Sequence, residues 1–418
     1  MKKKLLCLVL AFCVMCSLVA CSSGTQETTD TETAAPEGAT VTDAGTSEGE
    51  AAGTGDVITI GTISPNTGSL AAYGAAVTTA VDLAVEQINA AGGINGSQIK
   101  IVNADDQFDP TECLNAFNSL VSQGIGLIIG SVTSGCTSAI TDAANEEQGC
   151  LLTPSATADS ITTADDYVFR ACYADSFQGA IAAAYAKQSG YTDVGVVYCA
   201  ADTYSKGLYD SFSAACEKYG VNVKSVQSTA SLDVQDYTNQ FAAMVKDGVD
   251  FVYAPYYYDV IGPYIVTQAR AAGYTGIIMG ADGYDGTPDY VVEGADLTVF
   301  NNVYWTNHYD PADTSEKVQS FVKAYEAKFG STPNAISALA YDAVYMYKQA
   351  IETAGSTDPT AVRDALADTS AVYSGVTGTF SLDETGTPTK GASIISFTSD
   401  GTSVTTKLVD VVTELPDA

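Results

Sequence analysis

Histidine is nearly missing from this chain: its 418 residues hold one, His308. A Ser-His-Asp or Cys-His mechanism needs an imidazole base beside its nucleophile, so a single histidine leaves little room for either. The body has no G-x-S-x-G elbow, and His308, in WTNHYDP, is expected in the core or at the surface. Cations are also scarce, with 18 Lys and Arg against 50 Asp and Glu, a formal net charge of −32. That balance argues against nucleic acid and anionic membrane surfaces as partners. Of the six cysteines beyond residue 55, no pair has CxxC spacing, so metal ligation is not expected. The loop after the first apolar run, SPNTGSLAAYG, has neither a dinucleotide fingerprint nor a P-loop. The adjacent acids Asp105 and Asp106 read as solvated loop or cap residues rather than an acid–base pair.

What is present begins with a leader. MKKKLLCLVLAFCVMCSLVACSSG combines three lysines, an apolar stretch and small residues, the pattern of a secretory signal peptide over 1–20. Its end, Leu18-Val19-Ala20-Cys21, resembles the lipobox of bacterial lipoproteins, which implies lipidation of Cys21. Residues 22–55 are Thr, Gly, Ala, Glu and Ser throughout, with no aromatic residue and one proline, and read with Cys21 as a disordered acidic tether over 21–55. Six cysteines remain in the body: Cys113, Cys136, Cys150, Cys172, Cys199 and Cys216. Export permits disulfides, but spacing does not fix their pairing, and buried free thiols are the other reading.

From Asp56 the pattern becomes alternating strands and helices. VITIGTIS, IKIVNADD, IGLIIGS and GCLLTPS are short apolar runs, separated by stretches of helical spacing such as AAYGAAVTTAVDLAVEQINAAGG. Nearly unbroken apolar strands indicate a parallel sheet covered on both faces. The alternation restarts near 172–177 and runs to GIIMGAD, giving a second α/β unit. The remaining segment carries amphipathic helices, such as SALAYDAVYMYKQAIETAG, that must cover the first unit, and ends in hairpin strands. The expected division is 56–175 plus 301–379 for one lobe and 176–300 plus 380–412 for the other.

In open α/β sheets a ligand sits beyond the carboxyl ends of the strands. Those ends here, among them GSVTSGCT (130–137), TPSATAD (153–159), CAADTYSKG (199–207) and GADGYDG (280–286), are rich in Ser, Thr, Tyr, Gly and Asp and poor in cations. Hydroxyls and helix-start N–H groups can hold an anion, and an isolated acid can hold a cation. Such a set suits a zwitterion.

The order and phrasing of ITIGTISPNTGSLAAYG, AVEQINAAGGINGSQIKIVNADDQFDP, IIGSVTSGCTSA, LTPSATAD, DTYSKGLYDSF, DFVYAPYYYDVIG and QARAAGYTGIIMGADG resemble the Leu/Ile/Val-type substrate-binding proteins of amino-acid ABC transporters, over about residues 56–412. The resemblance implies a two-lobe type I periplasmic-binding fold, each lobe a parallel-sheet α/β sandwich, joined by a multi-strand hinge. It implies an extracytoplasmic, lipid-anchored protein that captures an amino acid and passes it to an ABC transporter permease, with no catalysis, cofactor or metal. A sensor acting through a partner receptor, and an enzyme with an unrecognised site, are the rival readings.

Carried over position by position, Ser134 with Ser155, Ala156 and Thr157 matches the family's carboxylate contacts, and Tyr204 and Tyr257 its closing tyrosines. Asp282 matches the ammonium acid, and Tyr73 the aromatic residue that touches the side chain. Branched-chain members most often carry Glu where this chain has Asp282. The shorter acid, with the extra tyrosines of APYYYD and Tyr284, implies a differently seated or larger ligand. Ser134 and Thr157 also read as simple helix N-caps, and Tyr204 and Tyr257 as surface tyrosines.

Overall fold

Apolar strands with helices between them settle into two sheets in the computed structural model, which describes residues 57–164, 166–292 and 294–417. The expected signal peptide, Cys21 and the tether lie outside the described residues. No helix among the described residues is long and apolar enough to cross a membrane.

The first sheet has the order β2-β1-β3-β4-β5 and every pairing is parallel. Its strands are β1 (Ile58–Ser64), β2 (Ile99–Asp105), β3 (Leu127–Ile129), β4 (Cys150–Thr153) and β5 (Val168–Arg170). Between them run α1 (Ala71–Ala90), α2 (Pro110–Ser122), and the short α3 (Ser134–Ser138) and α4 (Thr141–Glu146). α1 begins tight against the first loop. A Cβ on Gly74 would lie 2.2 Å from the Pro65 carbonyl oxygen, so only glycine lets the helix, and Tyr73 with it, sit there. Pro154 follows β4 and has no N–H to extend the ladder.

The second sheet follows α5 (Asp175–Gln188). It comprises β6 (Asp193–Cys199), β7 (Asn222–Thr229), β8 (Phe251–Tyr253), β9 (Ile277–Gly280) and β10 (Val303–Asn307), all parallel, extended by the antiparallel β13 (Ala392–Ser399) and β14 (Val404–Val412). Its order is β14-β13-β10-β9-β8-β6-β7. α6 (Thr203–Tyr219), α7 (Thr238–Asp247), α8 (Tyr258–Val260) and α9 (Val266–Ala271) connect the strands, a π turn over Ile261–Ile265 joining the last two. The expected return to the first lobe at residue 301 falls later. β10 still pairs with β9 and β13, because Val303 and Trp305 bury their side chains in the second core.

After β10 the chain does cross back. α10 (Glu316–Phe329), α11 (Ala335–Ala354) and α12 (Pro359–Leu366) lie on the first sheet and its α1, with the hairpin β11 (Tyr373–Gly375) and β12 (Gly378–Phe380) against α11. Two polar anchors fix this return. The Tyr347 hydroxyl donates to the carbonyls of Ile128 and Cys150, at 3.0 and 2.6 Å, in a fully buried position. The Asp342 carboxylate receives the N–H groups of Val376 and Thr377 and the Thr377 hydroxyl at 2.7–2.8 Å. The six body cysteines are all buried free thiols.

Tyr347→Phe keeps the ring but leaves two buried carbonyls short of a donor. A loss of about 1–3 kcal/mol is expected, read as a lower urea midpoint with unchanged m-value.

Candidate functional site

The carboxyl ends of both parallel sheets face one cleft. On the first lobe, the loop from β3 enters α3 directly, so Ser134 is the first helical residue and not the cap, which is Thr133. Its Oγ accepts the Ala158 N–H at 3.2 Å, tying the β3 and β4 ends together. The Ser155 Oγ donates to the Val132 carbonyl at 2.9 Å, and the Ala156 N–H donates to Thr153 Oγ1 at 3.0 Å. Thr157 does not cap its short helix either; its hydroxyl is buried without a partner, as is that of Thr133, at the N-cap of α3. Behind this corner lies Arg170, 1% exposed, whose Nη1 donates to the Thr157 carbonyl at 2.9 Å while Nε and Nη2 reach Thr162 Oγ1. The acids of β2 divide their work. Asp105 receives the N–H groups of Asn66, Thr67 and Gln107, as a loop acid should. Asp106 is fully buried, accepts from Ser131 Oγ and Phe108 N–H, and burial pushes its carboxyl up to about 6.

On the second lobe, Asp282 follows β9 and is 4% exposed. Burial of an acid requires donors, and three converge. Tyr204 OH donates to Oδ1 at 2.9 Å, Gln178 Nε2 to Oδ1 at 3.1 Å, and His308 Nε2 lies 3.0 Å from Oδ2. Gln178 is itself held: its Oε1 accepts from the Asp282 N–H and from Thr306 Oγ1. Tyr204 OH also accepts the Gly283 N–H at 2.8 Å. A Cβ on Gly283 would meet that hydroxyl at 2.8 Å, so glycine is what brings the backbone close. The Tyr257 ring stacks on Tyr204 at 4.9 Å and meets Tyr73 edge-on at 6.5 Å. Burial raises the phenols of Tyr73, Tyr204 and Tyr257 well above their ordinary value, so all three are neutral donors near neutral pH. Burial likewise pushes the Asp175 carboxyl, beside Gln178, well up, and pushes His308 down against the opposing pull of Asp282.

Six of the residues singled out from sequence line one cavity between the lobes: Tyr73, Ser134, Ser155, Tyr204, Tyr257 and Asp282, joined by Val132, Thr133, Gly283 and Ile336. Ala156 and Thr157 lie beside it without lining it. Of the further tyrosines expected to shape a larger site, Tyr258 packs edge-on against Tyr73 at 4.8 Å without lining the cavity, and the others turn away from it. Tyr284 is buried with its hydroxyl on the Ala254 carbonyl, and Tyr256 is buried against Thr229. His308 and Gln178 were not anticipated as site residues. The signal for His308 was available: β10 is a parallel strand of the second sheet, so its carboxyl end, like that of β9, faces the cleft.

The cavity is about 20 Å³, room for about one water. Lobe-bridging hydrogen bonds shut it: Tyr73 OH to the Gly283 carbonyl at 2.8 Å, Tyr258 OH to the Ser69 carbonyl at 3.1 Å, and the Ala335 N–H to Asp285 Oδ2 at 2.7 Å. Anything larger than water enters only after these break. Among the described residues no cluster of acids, cysteines or histidine could hold a metal.

The family model described as Periplasmic binding protein matches residues 57–402. A Leu/Ile/Val-binding protein homolog of Brucella melitensis is 32% identical over 331 residues, 79% of this chain and 88% of that protein. The leucine-, isoleucine-, valine-, threonine- and alanine-binding protein of Pseudomonas aeruginosa is 30% identical over 334 residues, 79% and 87% of the two chains. A crystal structure of the branched-chain amino acid transporter substrate binding protein of Streptococcus pneumoniae, in complex with isoleucine, superposes with a TM-score of 0.76 at 32% identity. It covers 85% of this chain and 99% of that one.

Tyr73→Phe removes one lobe-bridging hydrogen bond, worth about 1 kcal/mol. The open-to-closed ratio of the free protein should rise about fivefold, seen in small-angle scattering as a larger radius of gyration.

Proposed function

Because this chain belongs to the periplasmic binding proteins, an extracytoplasmic and non-catalytic solute-binding family, we propose that it captures one free amino acid between its lobes and hands it to an ABC transporter permease. The observation that carries the reading is a polarity across one cavity. A buried carboxylate, Asp282, stands on the second lobe, and an acid-free corner of hydroxyls stands on the first. In this reading the ligand's ammonium sits on Asp282. Its carboxylate sits on Ser134, Ser155 and the unpartnered Thr133 hydroxyl, within the corner that Ala156 and Thr157 shape. Tyr73, Tyr257, Val132 and Ile336 form the walls around its side chain. The relatives named for branched-chain amino acids support a small apolar side chain.

Binding then proceeds by hinge closure. The ligand docks on the first lobe while the cleft is open. The second lobe brings Tyr204, Tyr257 and Asp282 over it, and the closed form is favoured by what the ligand adds to it. The parts that move against each other are 56–175 with 308–379, and 176–307 with 380–412. Lipidation at Cys21, after removal of 1–20, would hold the body to the outer face of the membrane, and residues 22–55 would give it reach toward the permease.

A thermal-shift screen of the purified chain against amino acids, small amides and polyamines tests the reading. At least one amino acid should raise the melting temperature. Asp282→Ala should weaken it about 30-fold or more, since removing one member of a buried charge pair costs about 2–5 kcal/mol. Silence from every zwitterion, with a clear response to a non-zwitterionic solute, would sink the role given to Asp282.

A further inference from the structure

The one histidine of this chain is spent on the acid of the cleft. His308 Nε2 lies 3.0 Å from Asp282 Oδ2, and its side chain is wholly buried. Its other ring nitrogen, Nδ1, is buried with no partner. A neutral imidazole with its proton on Nε2 satisfies this geometry: it donates to the carboxylate and leaves only a lone pair on Nδ1. A second proton, on Nδ1, would place a donor where no acceptor stands. The ring is clamped in this pose by the Tyr173 ring, stacked at 3.7 Å and 29°, and by the backbone, where the His308 N–H donates to Asn307 Oδ1 at 3.0 Å.

We propose that His308 is a positioning residue for Asp282 and that it makes capture of the ligand's ammonium compete with a proton. This rests on the amino-acid reading above. While His308 is neutral, nothing in contact with the Asp282 carboxylate carries a positive charge, and the carboxylate draws the ammonium. Once His308 takes a proton, imidazolium and carboxylate form a neutral pair, and the net attraction for a second cation is lost. Ligand binding therefore expels a proton wherever the free protein holds one on His308.

The charged and titratable groups around the ring set the direction. Asp282, on the turn after β9, favours the imidazolium; Lys390, on the segment before β13, opposes it, and burial opposes it more strongly. Tyr173, on the segment before α5, faces the ring as a neutral phenol. Asp175 and Asp285 act on this cluster through their repulsion of Asp282. The net shift is downward, so the competition falls in the acid range, below the ordinary imidazole value of about 6.5. In that range affinity falls with falling pH by at most about tenfold per unit, the limit for one linked proton.

Two measurements on the purified chain, free of added histidines, test this. The probe is whichever of the twenty common L-amino acids raises the melting temperature most near pH 7.5. First, the single imidazole is titrated by NMR without and with saturating probe. Its pKa should fall when the probe is bound, and an unchanged value overturns the proposal. Second, the affinity is followed by calorimetry from about pH 7.5 to 5 in the wild type and in His308→Gln, whose amide donates to Asp282 but does not titrate. Asp106, Asp202 and Asp259, each pushed up to about 6 by burial, titrate in the same window and stay in the variant. Whatever its affinity at pH 7.5, His308→Gln should therefore lose the part of the acid decline that His308 carries. Equal slopes in the two proteins, or a wild-type affinity indifferent to pH, defeat the proposal and leave the amino-acid reading standing. No response to any amino acid at any pH defeats that reading and the proposal with it.

Discussion

A carboxylate taken out of water must be met by donors, and much of the second lobe is arranged around meeting that of Asp282. Four elements contribute. The end of β9 delivers the acid, α6 delivers Tyr204, α5 delivers Gln178, and the end of β10 delivers His308. Gln178 is in turn fixed from both sides by the Asp282 N–H and Thr306. These contacts explain why β10 belongs to the second sheet although the next helices belong to the first. Were β10 to leave with them, the acid would lose a donor.

The first lobe answers with the opposite strategy. Its cleft corner has no acid and no cation exposed to the ligand, only hydroxyls and peptide groups. Yet a buried guanidinium, Arg170, stands one layer behind, bound to the Thr157 carbonyl. A carbonyl held by a cation polarises its peptide and strengthens the N–H on the other side, here that of Ala158, which donates to Ser134. Positive character thus reaches the corner through the backbone, without a long flexible side chain in the cleft.

Much of this was legible in the sequence. Alternating apolar runs and helical spacings give the two parallel sheets, and the strand-end rule with the family phrasing picks out Tyr73, Ser134, Ser155, Tyr204, Tyr257 and Asp282, which the fold brings to one cavity. What was not legible depends on three-dimensional register. Whether Tyr284 or Tyr257 faces the cleft is a matter of which way a short turn rotates its side chains, and local pattern does not specify it. Ser134 reads equally as a cap because Thr133 and Ser134 are adjacent hydroxyl residues, and a one-residue shift of the helix start decides which of them is the cap. Gln178 was invisible because its partner is 104 residues away and a glutamine in an amphipathic helix carries no signal of its own. His308 carries no local signal as a lone histidine; what marks it is its place just past the end of a parallel strand.

The chain passes between the two sheets three times: after β5, after β10 and between β12 and β13. A single connection would let the lobes swivel and slide as well as bend. Three spaced connections act as a strap hinge, leaving one easy motion and stiffening the rest. Such routing holds Asp282 in one place opposite the hydroxyl corner. The precision of the cleft belongs as much to the routing of the backbone as to the side chains that line it.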